Sequence, residues 1–198
     1  MSKSFTGGRT HRSDDERRQS EGAAPDALPF PGSTGGPQLC GDIDMRIARD
    51  GTWFYHGSPI GRKPLVKLFA SVLKRHADGD YWLITPAEQC RITVDDAPFV
   101  AVAMTAEGQG RDQNLVFTTN LDDVVRAGPD HPIRVETAVE TGEPSPYVGV
   151  RDGLEALISR AVFYDLVELG VEEAVGGVPS FGVWSGGAFF ALGRLDEA

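Results

Sequence analysis

The sequence predicts an α+β protein of two related halves, each a set of antiparallel strands packed on one amphipathic helix. Three observations carry that reading. Residues 42–47 alternate apolar and polar and run on to Asp50-Gly51, the mark of a strand entering a hairpin. Leu65, Leu68, Phe69, Val72 and Leu73 recur at the spacing by which a helix buries one face. Leu154, Leu157, Ile158, Ala161 and Val162 repeat that stripe 89 residues later.

Residues 1–38 are mostly Gly, Pro, Ser, Arg and Asp, with neither the helical nor the strand period. Such a segment buries too little apolar surface to offset its ordering entropy, so it reads as a disordered tail. The rest divides into an N-terminal α+β domain over 39–96 and a C-terminal α+β domain over 97–198. A body of that size with 40% apolar content needs no staple. Cys40 and Cys90 lie far apart with no metal-type spacing and are expected as buried, reduced thiols rather than a zinc site or a disulfide.

The net charge is −10. The tail holds five basic and five acidic residues, so the whole excess sits on the body. A body this acidic repels phosphate backbones, which excludes general binding to nucleic acid or to an anionic membrane. No stretch has signal-peptide character and no run approaches the roughly 20 apolar residues that span a bilayer, so the expected location is cytoplasmic.

In the first half, Asp50-Gly51 turns the strand at 42–47 back into a second strand at 52–56. A turn at 57–59 leads to a helix over 62–76, with Pro64 near its first position, where a missing N–H is harmless. Strands follow at 81–85 and 90–94, joined at Pro86, and at 99–104 and 115–119. The second half replays the order. Strands at 133–139 and 147–150 precede a helix over 153–169, with Asp152 as its N-cap and Gly170 as its C′ residue. Two last strands, 181–184 and 188–192, turn at Ser185-Gly186-Gly187.

Several runs carry a family likeness: Cys40-Gly41-Asp42-Ile43-Asp44-Met45-Arg46-Ile47, Asp50-Gly51-Thr52-Trp53-Phe54-Tyr55, and Gly57-Ser58-Pro59-Ile60-Gly61-Arg62. Val94-Asp95-Asp96-Ala97-Pro98-Phe99, Arg160-Ala161-Val162-Phe163-Tyr164 and Gly182-Val183-Trp184-Ser185-Gly186 extend it through the second half. Together they resemble the bacterial family called domain of unknown function 1285. The resemblance implies a two-domain α+β fold with related halves, no assigned enzymatic activity, and an association with signal transduction or small-ligand binding.

No catalytic, metal or cofactor motif stands out. Gly57-Ser58-Pro59-Ile60-Gly61-Arg62-Lys63 fails as a P-loop, since Pro64 stands where a magnesium-binding hydroxyl belongs. Asp95 and Asp96 point to opposite faces of a strand and do not converge on an ion. Ser185 lacks the spacing of a nucleophile elbow. What remains is a cluster around one glycine turn: Trp53, Tyr55, His56, Arg62 and Lys63, joined by Arg160 inside the second helix. The expectation is a non-enzymatic small-ligand-binding or signalling protein, with a small anionic ligand in a groove between the halves. Two alternatives stand beside it: a hydrolase or transferase using His56, and an adaptor that binds a partner protein through Lys63, Lys67 and Lys74 of the basic helix.

Overall fold

The computed structural model describes residues 36–195. The tail expected over 1–38 lies outside them except for its last three residues, and Gln38 already opens the first strand.

The first half begins with a meander of β1 (Gln38–Ile47), β2 (Trp53–Tyr55) and β3 (Ser58–Pro59). Helix α1 (Lys63–Ser71) leads to a second meander of β4 (Leu73–Arg75), β5 (Tyr81–Ile84) and β6 (Glu88–Val94). These six strands form one sheet in the order β3-β2-β1-β6-β5-β4. All neighbours are antiparallel except β1 and β6, which run parallel at the centre.

The second half builds the same sheet. β7 (Phe99–Glu107), β8 (Asn114–Thr119) and β9 (Val124–Arg126) form one meander, and β10 (Ile133–Thr137), β11 (Pro144–Arg151) and β12 (Leu154–Ile158) form the next. Their order is β10-β11-β12-β7-β8-β9, again with the first and last strands parallel at the centre. Helix α2 (Arg160–Glu168) follows, then a third sheet of β13 (Val171–Val175), β14 (Val178–Ser185) and β15 (Ala188–Arg194). The α+β class with two similar halves therefore holds, in a molecule with much more strand than helix. No helix among the described residues is long and apolar enough to cross a membrane.

One core serves both halves. Ile47, Trp53 and Leu73 from the first belong to the same buried cluster as Phe99, Phe117, Leu154 and Leu166 from the second.

The structure corrects the sequence reading at four places. The helix expected over 62–76 stops at Ser71, and Leu73, Lys74 and Arg75 form β4 instead. Its buried side chains are Val66 and Ala70, whereas Leu65 and Leu68 are exposed.

The helix expected over 153–169 is two elements. Leu154, Ala156 and Ile158 are buried while Glu155 and Leu157 are less so, which is the period of a strand. The helix starts only after Ser159, so the 89-residue offset matched a strand to a helix. Asp152-Gly153 is not a cap. Both residues have positive φ (47° and 75°) between the paired residues Arg151 and Leu154, making a two-residue hairpin turn of type I′.

Asp50-Gly51 lacks that double signature: among the residues of its loop only Gly51 has positive φ (82°). Its N–H returns to Ala48 O at 2.9 Å, and the Asp50 carboxylate accepts the Thr52 N–H at 2.9 Å, which lowers the Asp50 pKa. His56 and Gly57 (φ 47° and 73°) make another type I′ turn, between Tyr55 and Ser58.

The cysteines are the fourth correction. Cys40 is exposed, Cys90 is half-buried, and the two are joined as a disulfide between β1 and β6 with their Cα atoms 5.2 Å apart. Sequence separation hid the pair because β1 and β6, fifty residues apart, are spatial neighbours.

Two glycines at positive φ separate backbone strain from packing. A Cβ at Gly153 would meet nothing within 4 Å, so Gly153→Ala is expected to cost about 1–2 kcal/mol from backbone strain alone. At Gly51 a Cβ would lie 2.4 Å from Asn120 Nδ2 and 3.1 Å from Val100 Cγ2. Gly51→Ala should therefore destabilise distinctly more, by roughly 2–4 kcal/mol, and urea unfolding of both variants checks the order.

Candidate functional site

The seam between the halves is densely polar. The Arg151 guanidinium lies over the Phe99 ring at 4.9 Å and donates to Ala70 O in α1 at 2.9 Å and to Asp123 at 3.3 Å. Asn120 accepts the Val100 N–H at 3.0 Å and reaches Gly51 O at 3.4 Å. Along α1, Lys63 and Lys67 both pair with Asp122, at 2.7 and 2.9 Å, and Lys74 of β4 pairs with Asp152. Hydrogen bonds from the two lysines lower the Asp122 pKa. The basic face expected of the first helix is thus spent on carboxylates of the second half.

At one point the seam opens into a cavity of about 310 Å³. Arg49, from the turn between β1 and β2, reaches it from the first half, and β11, β12 and α2 form the rest. The Arg49 Nη2 donates to Ser145 Oγ at 3.0 Å. Its Nε lies 3.2 Å from Asp96 Oδ2, an ion pair without hydrogen-bond alignment. The other Asp96 oxygen accepts the Tyr147 hydroxyl at 2.7 Å. Burial, then the hydrogen bond to the Asp96 carboxylate, push the Tyr147 hydroxyl up to about 12.

Arg160, the first residue of α2, lines the same cavity. Its Nε donates to the Tyr164 hydroxyl, one turn on, at 3.0 Å, and among the described residues it pairs with no carboxylate. Ser145 and Ser159 add hydroxyls, and Leu157, Ile158 and Phe163 form an apolar wall.

The other residues singled out from the sequence lie elsewhere. Trp53 is 1% exposed and stacks on Phe69 in the core, with centroids 6.2 Å apart. Tyr55, 49% exposed, lines a separate apolar groove of about 520 Å³ between α1 and the first sheet. His56 sits in its turn with Nδ1 3.3 Å from Asp44, both about two-thirds exposed. Arg62 is the exposed N-cap residue of α1, and Lys63 is held by Asp122. The glycine turn offers no phosphate cradle, because Ser58-Pro59 is a strand and the Ile60 N–H is taken by Trp53 O.

Sequence reasoning missed Arg49, Ser145 and Tyr164. Tyr164 was detectable as the i+4 neighbour of Arg160. Arg49 carries no local signal, since only long-range docking of its turn brings it to Ser145.

A β-rich α+β body with two matching sheets and a polar seam is the class defined so far. Residues 31–97 match the model of the domain of unknown function DUF1285, N-terminal domain, and residues 98–192 match its C-terminal domain. The chain belongs to the DUF1285 family. A crystal structure of a DUF1285 family protein from Silicibacter pomeroyi DSS-3 is 53% identical, covers 85% of this chain and 90% of that chain, and superposes with a TM-score of 0.76. A DUF1285 family protein from Shewanella baltica OS155 is 28% identical, covers 64% of this chain and 91% of that one, and gives a TM-score of 0.50. No curated protein matches the chain.

Two outcomes follow from the seam. Arg151→Ala removes the side-chain donor to the carbonyl of buried Ala70 together with the contacts to Asp123 and Phe99 and should cost about 1–3 kcal/mol in urea unfolding, whereas Lys63→Ala leaves the midpoint unchanged within error. Tyr147 supplies a pH test. Its folded pKa, about 12, lies above the value near 10 of a free tyrosine, so its contribution is complete below pH ~10 and is lost as pH rises toward 12. Wild type should lose more stability across that window than Tyr147→Phe.

Proposed function

We propose that the protein binds a small monoanion, a carboxylate with an apolar body, in the Arg49–Arg160 cleft, and does so without catalysis. The observation that carries the reading is Arg160. In a chain with a net charge of −10, most described cations are in an ion pair with a carboxylate, whereas this one hydrogen-bonds only a tyrosine hydroxyl and feels Glu143 at longer range. A guanidinium offers a forked set of donors suited to a carboxylate, and the adjoining Ser145 and Ser159 hydroxyls and the Leu157-Ile158-Phe163 wall supply polar and apolar complements. Because Asp96 already offsets Arg49 and Glu143 stands at the rim, the cleft favours a single negative charge over a polyanion.

The catalytic alternative has less support. His56 has a carboxylate neighbour in Asp44, but the pair is solvent-exposed, and its positive-φ turn position explains the residue without chemistry.

Thermal-shift measurements with a series of monocarboxylic acids test the proposal. A ligand at 100 times its Kd adds about 2.7 kcal/mol of stability. The expected result is a midpoint shift with one or more acids that vanishes in Arg160→Gln and persists in Arg62→Ala. If no acid shifts wild type, or if Arg160→Gln responds equally, the cleft reading is wrong.

A further inference from the structure

We infer that the Cys40–Cys90 disulfide is a reversible thiol–disulfide clasp on the apolar groove beneath α1. The inference is independent of the arginine cleft. Cys90 lines the groove, as do Ile43 and Met45 of β1, Leu83 of β5 and Phe69 of α1. The sulfurs join β1 to β6, and among the described residues that parallel pairing is the one hydrogen-bonded link between the two meanders of the first sheet. It is also an interrupted ladder. Its register shifts between Leu39 and Gly41, leaving Cys40 as an extra residue, and again between Asp42 and Arg46. The covalent bond therefore ties the two meanders at a bulge in that ladder, with Cys90 in the groove wall. Three ordered features meet there: an interrupted ladder, an accessible sulfur on Cys40, and a wall residue as its partner.

The chemistry is disulfide exchange with a dithiol reductant. A thiolate of the reductant attacks the exposed Cys40 sulfur, and Cys90 leaves as thiolate and takes a proton from water. The second thiol of the reductant then attacks the mixed disulfide, closes its own disulfide and releases Cys40. Two electrons and two protons pass to the cysteine pair, and the reductant is oxidised. Reduction leaves the start of β1 held to β6 by backbone pairing alone, which loosens the groove wall at Cys90.

The test uses the full chain purified without reductant. Thiol titration should find no free thiol before dithiothreitol and two after it, with the bond re-forming on return to oxidised glutathione. Fluorescence of a hydrophobic dye should rise severalfold on reduction of wild type, and limited proteolysis should gain a cut near the start of β1. A Cys40→Ser/Cys90→Ser variant should bind dye at the reduced level and ignore dithiothreitol. Should that variant not fold, the reductant response of wild type and its reversal on reoxidation decide alone. Two free thiols in the unreduced protein, a metal ion retained by Cys40, Glu88 and Cys90, or dye binding that ignores reduction would each overturn the inference.

Discussion

The parallel joint at the centre of each six-stranded sheet constrains everything around it. With β1 beside β6, the two meanders must leave β3 and β4 on opposite edges, about 24 Å apart in a flat sheet at the usual strand spacing. The chain has to cross the whole sheet to get from one to the other. Helix α1 makes that crossing, so it packs over a sheet face, and its position creates both the buried contacts of Val66 and Ala70 and the apolar groove beside them. The second sheet has the same strand order but no helix between its meanders. The link from β9 to β10 is only six residues, and it folds back on itself through the Gly128–His131 bridge. Its reach is then roughly 19 Å at most, short of a flat sheet's width, so the second sheet must curl.

That constraint also explains how much of the molecule was legible in its sequence. Strands with one buried face, such as residues 42–47, announced themselves by alternation, because burial on one side leaves a period-two trace. The error lay at Leu154-Glu155-Ala156-Leu157-Ile158, where a buried central strand carries apolar residues on both faces and fits either period. The neighbouring Asp152-Gly153 held the deciding information, as a two-residue hairpin turn cannot also begin a helix. Read as a turn, it would have moved the helix start to Ser159. The helix over 62–76 failed differently: nothing local marks its end at Ser71, and pairing of β4 with β5 takes the last residues. Long-range pairing likewise brought the cysteines together.

The site was legible only in part for the same reason. Arg160 stood out as a charge inside an apolar helix, and the cavity beside it contains that residue. Trp53, adjacent in sequence to the other candidates, points into the core because β2 alternates its side chains across a sheet that is buried on one face. Lys63 and Lys67 of α1 and Lys74 of β4 read as one patch because their carboxylate partners, Asp122 and Asp152, lie far along the chain. In an acidic protein a basic stripe is best read as half of an internal seam until its partners are accounted for.

On the proposed reading, Arg49 would give the seam a role beyond holding the halves together. It is fixed to Asp96 at the junction and to Ser145 in the second half, and it lines the cavity that Arg160 faces. On the proposed reading, an anion that draws on Arg49 competes with Asp96, whose remaining oxygen holds Tyr147. Occupancy of the cleft would then shift the balance of contacts joining the turn of the first sheet to β11. A ligand shifts such an equilibrium only by its difference in affinity for the two arrangements. Arg49→Ala therefore separates the two roles of this residue: it preserves the Arg160 contact while removing the path by which binding reaches the other half.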